Sequence, residues 1–207
     1  MGYDSKHVDI KEAKDGYNRV ADDYGKYHTL LDNFDQGMFK RFLPRNGKIL
    51  NIIDLGAGDG RMYKHLSKLP HKRYVACDIA DKLLKKHPGK DKVEKIICDL
   101  KEPLPFRDNT FDLVTSFFVF EHLQQIETVF DETKRILAPG GRRIIGHFLQ
   151  RHEFLRKTKE ENFKIEFYNH RLSEIEDLAK EHFGEVDIFP VMESDDTIGY
   201  IILLEKK

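Results

Sequence analysis

Two hydrophobic rhythms alternate along this chain. Short, nearly unbroken apolar runs appear at Ile52–Ile53, Tyr74–Ile79, Val93–Cys98 and Leu113–Phe120. Runs of that length and texture read as strands buried on both faces. Between and after them, apolar residues recur every three or four positions. Ile126, Val129, Phe130, Thr133, Ile136 and Leu137 give an amphipathic helix over 125–137, stopped by Ala138-Pro139-Gly140-Gly141. A strand around Ile144-Ile145 follows, then a helix from about Leu172 to His182 with Ser173 as N-cap. Two further runs, Val186–Val191 and Ile198–Leu204, flank the polar turn Glu193–Asp196 and read as an antiparallel hairpin.

The ends and joints of this pattern are less regular. Residues 8–28 hold helix formers and two tyrosines, Tyr17 and Tyr24, and 29–43 read as a second short helix ending before Pro44. Residues 101–112 contain Pro103 and Pro105 and no helical period, so they cross over as a loop. Residues 147–170 have weak periodicity, mixed charge and several aromatics, among them Phe148, Phe163, Phe167 and Tyr168.

The chain is organised around Ile52-Ile53-Asp54-Leu55-Gly56-Ala57-Gly58-Asp59-Gly60-Arg61. An apolar strand ends in an acid, a glycine turn follows, and Met62–Leu66 continues as helix. Glycine stands where φ must be positive or where a ligand approaches the main chain. Strand, glycine turn and helix start together form the usual cofactor cradle of open α/β sheets. The dinucleotide fingerprint G-x-G-x-x-G does not fit, because the third glycine comes one residue early and Arg61 stands in its place. Asp78 closes the second strand, 20 residues after Gly58. An acid there can accept hydrogen bonds from both ribose hydroxyls of a nucleoside; alternatively it caps the helix that begins after Ala80.

The glycine turn resembles motif I, D-x-G-x-G-x-G, of the class I S-adenosylmethionine (SAM)-dependent methyltransferases. The stretch Asp99–Asp112, D-x-x-x-x-L-P-F-x-x-x-x-F-D, resembles the subgroup that includes the ubiquinone and menaquinone methylases. Glu132–Gly141 is similar to that subgroup's E-x-x-R-x-L-x-P-G-G, and these elements occur in the family's order over residues 51–146. Tyr17–Tyr24 loosely matches a Y-D-x-x-A-x-x-Y helix that caps the cofactor pocket, with Asn18 replacing the Asp. The resemblance implies an α/β, Rossmann-like fold. Its seven-stranded, mostly parallel sheet would have order 3-2-1-4-5-7-6, a terminal antiparallel hairpin and N-terminal capping helices. A single domain over 1–207 is expected, with a helical cap at 1–47, a core at 48–207 and a substrate-side insertion at 147–170.

The same resemblance assigns SAM binding, with S-adenosylhomocysteine as product, to Asp54, Gly56, Ala57, Gly58, Asp78, Ile79, Asp99, Leu100 and Phe117, with Tyr24 as a lid. Asp99 would contact the adenine amine. Methyl transfer from a sulfonium needs alignment and exclusion of water more than strong acid–base chemistry. His122, just past the fourth strand, is the candidate base, and Glu121 is placed to orient it or to bind substrate. Alternatively the two residues line the pocket without acid–base work. His147 and His170 are secondary candidates. Metal binding is not expected, since Phe118 occupies the place of the further Glu that metal-using relatives carry.

Composition narrows the partners. With 35 Lys+Arg against 36 Asp+Glu the net charge is −1, and no global field recruits nucleic acid or an anionic membrane. The basic stretch from Lys82 to Lys95 is broken by acids and reads as a solvated face. No apolar run reaches the ~18 residues of a membrane span. Cys77 and Cys98 lie in strand-like runs and read as small buried apolar residues in a reducing compartment. The expectation is a cytoplasmic methyltransferase acting on a small molecule. Its rivals are a SAM-binding protein without catalysis and a nicotinamide-dependent oxidoreductase.

Overall fold

The computed structural model describes residues 8–27, 34–35, 37–43, 48–149 and 155–207. In chain order come β1 (Asp9–Lys11), α1 (Ala13–Val20), α2 (Phe39–Phe42), β2 (Leu50–Leu55), α3 (Tyr63–Leu66), β3 (His71–Asp78), α4 (Asp81–Lys86) and β4 (Glu94–Ile97). Then follow β5 (Phe111–Phe117), α5 (Glu127–Ile136), β6 (Leu137–Phe148), β7 (Leu155–Lys157), β8 (Asn162–Ile165), α6 (Leu172–Phe183), β9 (Val186–Glu193) and β10 (Asp196–Glu205).

Seven strands pair in the order β4-β3-β2-β5-β6-β10-β9, which is 3-2-1-4-5-7-6 when numbered within the sheet. Only β10 runs antiparallel, to β6 on one side and β9 on the other. The hairpin turns at Ser194, which adopts φ 55°, and Asp195. β2 lies between β3 and β5. Its alternate residues feed opposite cores. Ile53 and Leu55 join Val75, Val114 and the inner faces of α5 and α6, while Leu50 and Ile52 join Tyr74, Leu113, Phe39 and Leu66. A strand buried on both faces is mostly apolar, and the buried polar side chain here, Asp54, is hydrogen-bonded to Thr115. Each of the apolar side chains contributes roughly 1.5–3 kcal/mol on burial.

The crossover at 101–110 is a loop, as its prolines predict, and α5 pins it. The Arg135 guanidinium donates to the carbonyls of Phe106 (2.7 Å) and Leu104 (3.0 Å) and to Asp108 (2.9 Å). Glu132 clamps Arg135 and accepts the Leu104 amide N–H at 2.6 Å. The E-x-x-R and L-P-F elements are therefore two halves of one clamp.

Several expectations are corrected. The helix expected over 8–28 is interrupted: β1 comes first, then an eight-residue α1, then a 3-10 turn over Tyr24–Tyr27. β1 is extended because it pairs in parallel with β8, Asp9 opposite Phe163 and Lys11 opposite Ile165. Of the second helix expected over 29–43, α2 is the described part, and residues 28–33 lie outside the described residues. Residues 155–165 form the hairpin β7–β8, which makes a three-stranded sheet with β1; residues 150–154 also lie outside the described set. α6 starts one residue before Ser173, where Glu174 accepts the Arg171 amide N–H at 3.0 Å. Cys77 and Cys98 are not separate apolar residues but a bonded pair, with Cα atoms 6.0 Å apart, a separation a disulfide spans.

Candidate active site

A cleft of about 1530 Å³, counting its open mouth, lies at the carboxyl ends of β2, β3 and β5. That is where ligands bind in open α/β sheets. Every residue of the expected set lines it: Tyr24, Asp54, Gly56, Ala57, Gly58, Asp78, Ile79, Asp99, Leu100, Phe117, Glu121 and His122. The main chain leaves β2 through Gly56 and Gly58, at φ 69° and 55°, a region L-residues avoid. A Cβ on Gly56 would also overlap Val119.

Asp78 does both things the sequence allows. Its Oδ2 accepts the Gly58 amide N–H at 2.7 Å, and its Oδ1 accepts that of Ala80 at 2.8 Å at the start of α4. One carboxylate thus ties the glycine turn to the end of β3 while facing the cleft. Burial lifts its pKa, and these two N–H donors pull it back. Asp54 accepts the Thr115 hydroxyl at 2.6 Å through Oδ1, and its Oδ2, also buried, accepts no hydrogen bond among the described residues. Burial pushes its carboxyl up to about 7, against the opposing Thr115 bond. Asp99 accepts the Lys101 amide N–H at 2.9 Å.

The far end of the cleft is aromatic. Phe118 adopts φ 58°, rare for a bulky residue. Its ring packs edge-on against Phe34 and Phe148 with the Arg61 guanidinium 4.7 Å from the ring centre. The three-stranded sheet and α1 also line the cleft, burying Val20, Phe163 and Ile165 against Tyr17 and Tyr24.

His122 reaches the cleft from a 3-10 turn after β5. Its Nδ1 lies 2.8 Å from the Glu166 carbonyl, which can only accept, so Nδ1 carries the proton. The lone pair on Nε2 then accepts the Tyr17 hydroxyl at 2.6 Å. Burial lowers the imidazole's pKa, leaving it neutral at pH 7. Glu121 does not orient this ring. Its Oε1 accepts the Phe148 amide N–H at 3.2 Å and lies 3.6 Å from His147 Nδ1, and burial raises its carboxyl to about 7. His147 and His170 sit behind the cleft: burial drops His147 to about 4, and His170 Nε2 donates to the Leu123 carbonyl at 2.7 Å. Sequence reasoning missed Phe118, Arg61, Arg156 and Glu166 as cleft residues. Only the aromatic richness of 147–170 pointed toward that region.

Comparison with known proteins shows what the chain is similar to. A family profile described as "Methyltransferase domain" matches residues 53–145. An uncharacterised protein of Methanocaldococcus jannaschii is 37% identical over 145 residues, 66% of this chain and 60% of that protein. The ubiquinone/menaquinone biosynthesis C-methyltransferase UbiE of Paracoccus denitrificans is 27% identical over 147 residues, 65% of this chain and 58% of that enzyme. The "DhpI-SAM-HEP complex" superposes with TM-score 0.75 at 19% identity, covering 93% of this chain and 95% of that one. Residues 53–145 therefore match a methyltransferase domain, on a fold shared with that SAM-bound structure. The matches reach only 52% to 60% of the first curated relatives' length. Among the described residues no helix is long and apolar enough to cross a membrane.

Proposed function

We propose that this chain transfers a methyl group from SAM to a small-molecule acceptor, and that the expected residues hold the cofactor. What carries the reading is the juxtaposition of Asp54, Asp78 and Asp99 at the ends of adjacent elements around one glycine cradle. The donor set suits SAM. Asp78 would take the ribose hydroxyls. Asp99 and Leu100 would flank the adenine. The free oxygen of Asp54 would accept the methionyl ammonium. SAM supplies an activated methyl group on a good leaving group. The chain aligns the acceptor, excludes water with its cap, and offers His122 as base. We place residues 1–47 and 147–170 as two parts of that cap within one domain, with 48–207 as its core. The aromatic end of the cleft suits an apolar or planar acceptor.

The test is parallel calorimetric titration with SAM, S-adenosylhomocysteine and NAD. The two methionine nucleosides are expected to bind in the roughly micromolar-to-millimolar range usual for enzyme substrates, and NAD not at all. Asp78→Ala is expected to weaken SAM at least about tenfold, the worth of one hydrogen bond to a charged group, with an unchanged circular dichroism spectrum. Binding of NAD alone overturns the reading, and unchanged SAM affinity in a folded mutant sinks the ribose assignment.

A further inference from the structure

The base candidate does not face the cleft with an open lone pair. His122 Nδ1 is committed to the Glu166 carbonyl and Nε2 to the Tyr17 hydroxyl, at 2.8 and 2.6 Å. Any proton that reaches His122 along this geometry arrives through Tyr17. The Tyr17 oxygen in turn accepts a hydrogen bond from Arg156, whose guanidinium has only donors to give. The polarity is therefore fixed along the whole chain: Arg156 donates to Tyr17, Tyr17 to His122, and His122 to Glu166. Tyr17, His122 and Arg156 all line the cleft. The ring of Tyr17 is held edge-on against Tyr24 at 5.5 Å and against His122 at 5.1 Å.

We propose that Tyr17 is the catalytic residue that takes the acceptor's proton, with His122 as the proton's sink and Arg156 as the residue that positions the hydroxyl. This rests on the methyltransferase reading above and narrows its substrate class. As the acceptor's attacking atom bonds the methyl carbon, the carbon–sulfur bond breaks and its electron pair stays on sulfur. The acceptor's proton passes to the Tyr17 oxygen while the Tyr17 proton moves to His122 Nε2. Tyr17 ends as it began, a neutral phenol, and the charge rests on the imidazolium. A free phenolate is never required, which matters because burial pushes the Tyr17 hydroxyl up to about 12, against the opposing pull of Arg156. Such a relay serves an acceptor whose attacking atom must lose a proton, a hydroxyl or an acidic carbon. A thioether or a tertiary amine would gain nothing from it.

The relay also draws on four places along the chain. Tyr17 comes from α1, His122 from the turn after β5, Arg156 from β7 and Glu166 from the residue after β8. The base is complete only when the cap is docked on the core.

The test uses protein labelled with 15N at histidine, saturated with S-adenosylhomocysteine, in wild type, Tyr17→Phe and Arg156→Gln. Wild type is expected to show His122 as the Nδ1–H tautomer with a hydrogen-bonded Nε2. Tyr17→Phe should keep that tautomer but move the Nε2 resonance to that of an unbonded lone pair. In Arg156→Gln the same shift should be partial. Turnover is then read as S-adenosylhomocysteine release with phenolic, 1,3-dicarbonyl, thioether and tertiary-amine probes. For the first two, kcat should fall about 10²–10⁴-fold in Tyr17→Phe, the usual worth of general acid–base catalysis, and the acid limb of the pH profile should disappear. A wild-type Nε2–H tautomer, or an Nε2 resonance that Tyr17→Phe leaves in place, overturns the relay. So does turnover confined to the thioether or tertiary-amine probes. Loss of S-adenosylhomocysteine binding by the wild type would instead overturn the methyltransferase reading itself.

Discussion

At the scale of single residues, the cleft keeps two carboxyls in a place that resists their charge. Glu121 and Asp54 are both lifted to about 7, in each case chiefly by burial. The consequence for stability has a definite sign. Below about pH 4, the ordinary range for these groups, both are protonated folded or unfolded and cost nothing. As pH rises toward 7 the unfolded chain releases their protons first, so the ligand-free protein loses stability across that window. Glu121→Gln keeps an acceptor for the Phe148 amide and removes the charge. Its melting temperature should match wild type near pH 4 and exceed it by about 2–8 °C at pH 8, from a relief of roughly 1–2 kcal/mol. Parallel melting curves over that range would contradict the buried-charge account. At this same scale the sequence was legible wherever one local signature fixed a residue's place. Asp54 and Asp78 end apolar strands and Gly56 and Gly58 follow one, so their neighbours in sequence are also their neighbours in space. Arg156 and Glu166 carry no such mark, because what puts them at His122 is the pairing of β8 with β1.

At the scale of elements, α5 does more than cover the sheet. Its buried face holds Val129, Phe130, Thr133 and Ile136, as the period predicts. Its last turn sends Arg135 to grip the crossover that begins at Asp99. Arg135→Ala removes bonds to two loop carbonyls and leaves them to water or unpaired. The expected cost is about 1–3 kcal/mol, with faster amide exchange over 101–109 and weaker SAM binding through Asp99 and Leu100. An unchanged exchange pattern would show that the prolines alone hold the loop. The elements that sequence misjudged are those whose form depends on distant partners. Residues 8–11 contain nothing that forbids a helix; they are extended because β8 is there to pair with. The short hairpin β7–β8 hid for the same reason, since strands of three and four residues give too few positions to establish a period.

At the scale of the whole molecule, the order of the seven strands is the one the family resemblance implied, and the terminal hairpin agrees with it. The three-stranded sheet of β1, β8 and β7 was not part of that resemblance. It joins segments from before and after the central strands, so as the proposed cap it should open as one body. Hydrogen exchange is expected to show residues 9–11 and 162–165 exchanging at a common rate, faster than β2 and β5, and slowing together when S-adenosylhomocysteine is added. Different rates for the two segments would mean that they move separately. The parallel pairing of β1 with β8 also has a meaning in time. Ala13 donates to Glu166, 153 residues further along. At a synthesis rate of ~5–20 residues per second, the first strand waits roughly 8 to 30 seconds for its partner to be made. The cradle of Gly56 and Asp78 is already translated by then. A nascent chain would thus acquire its means of holding the cofactor well before its means of using it.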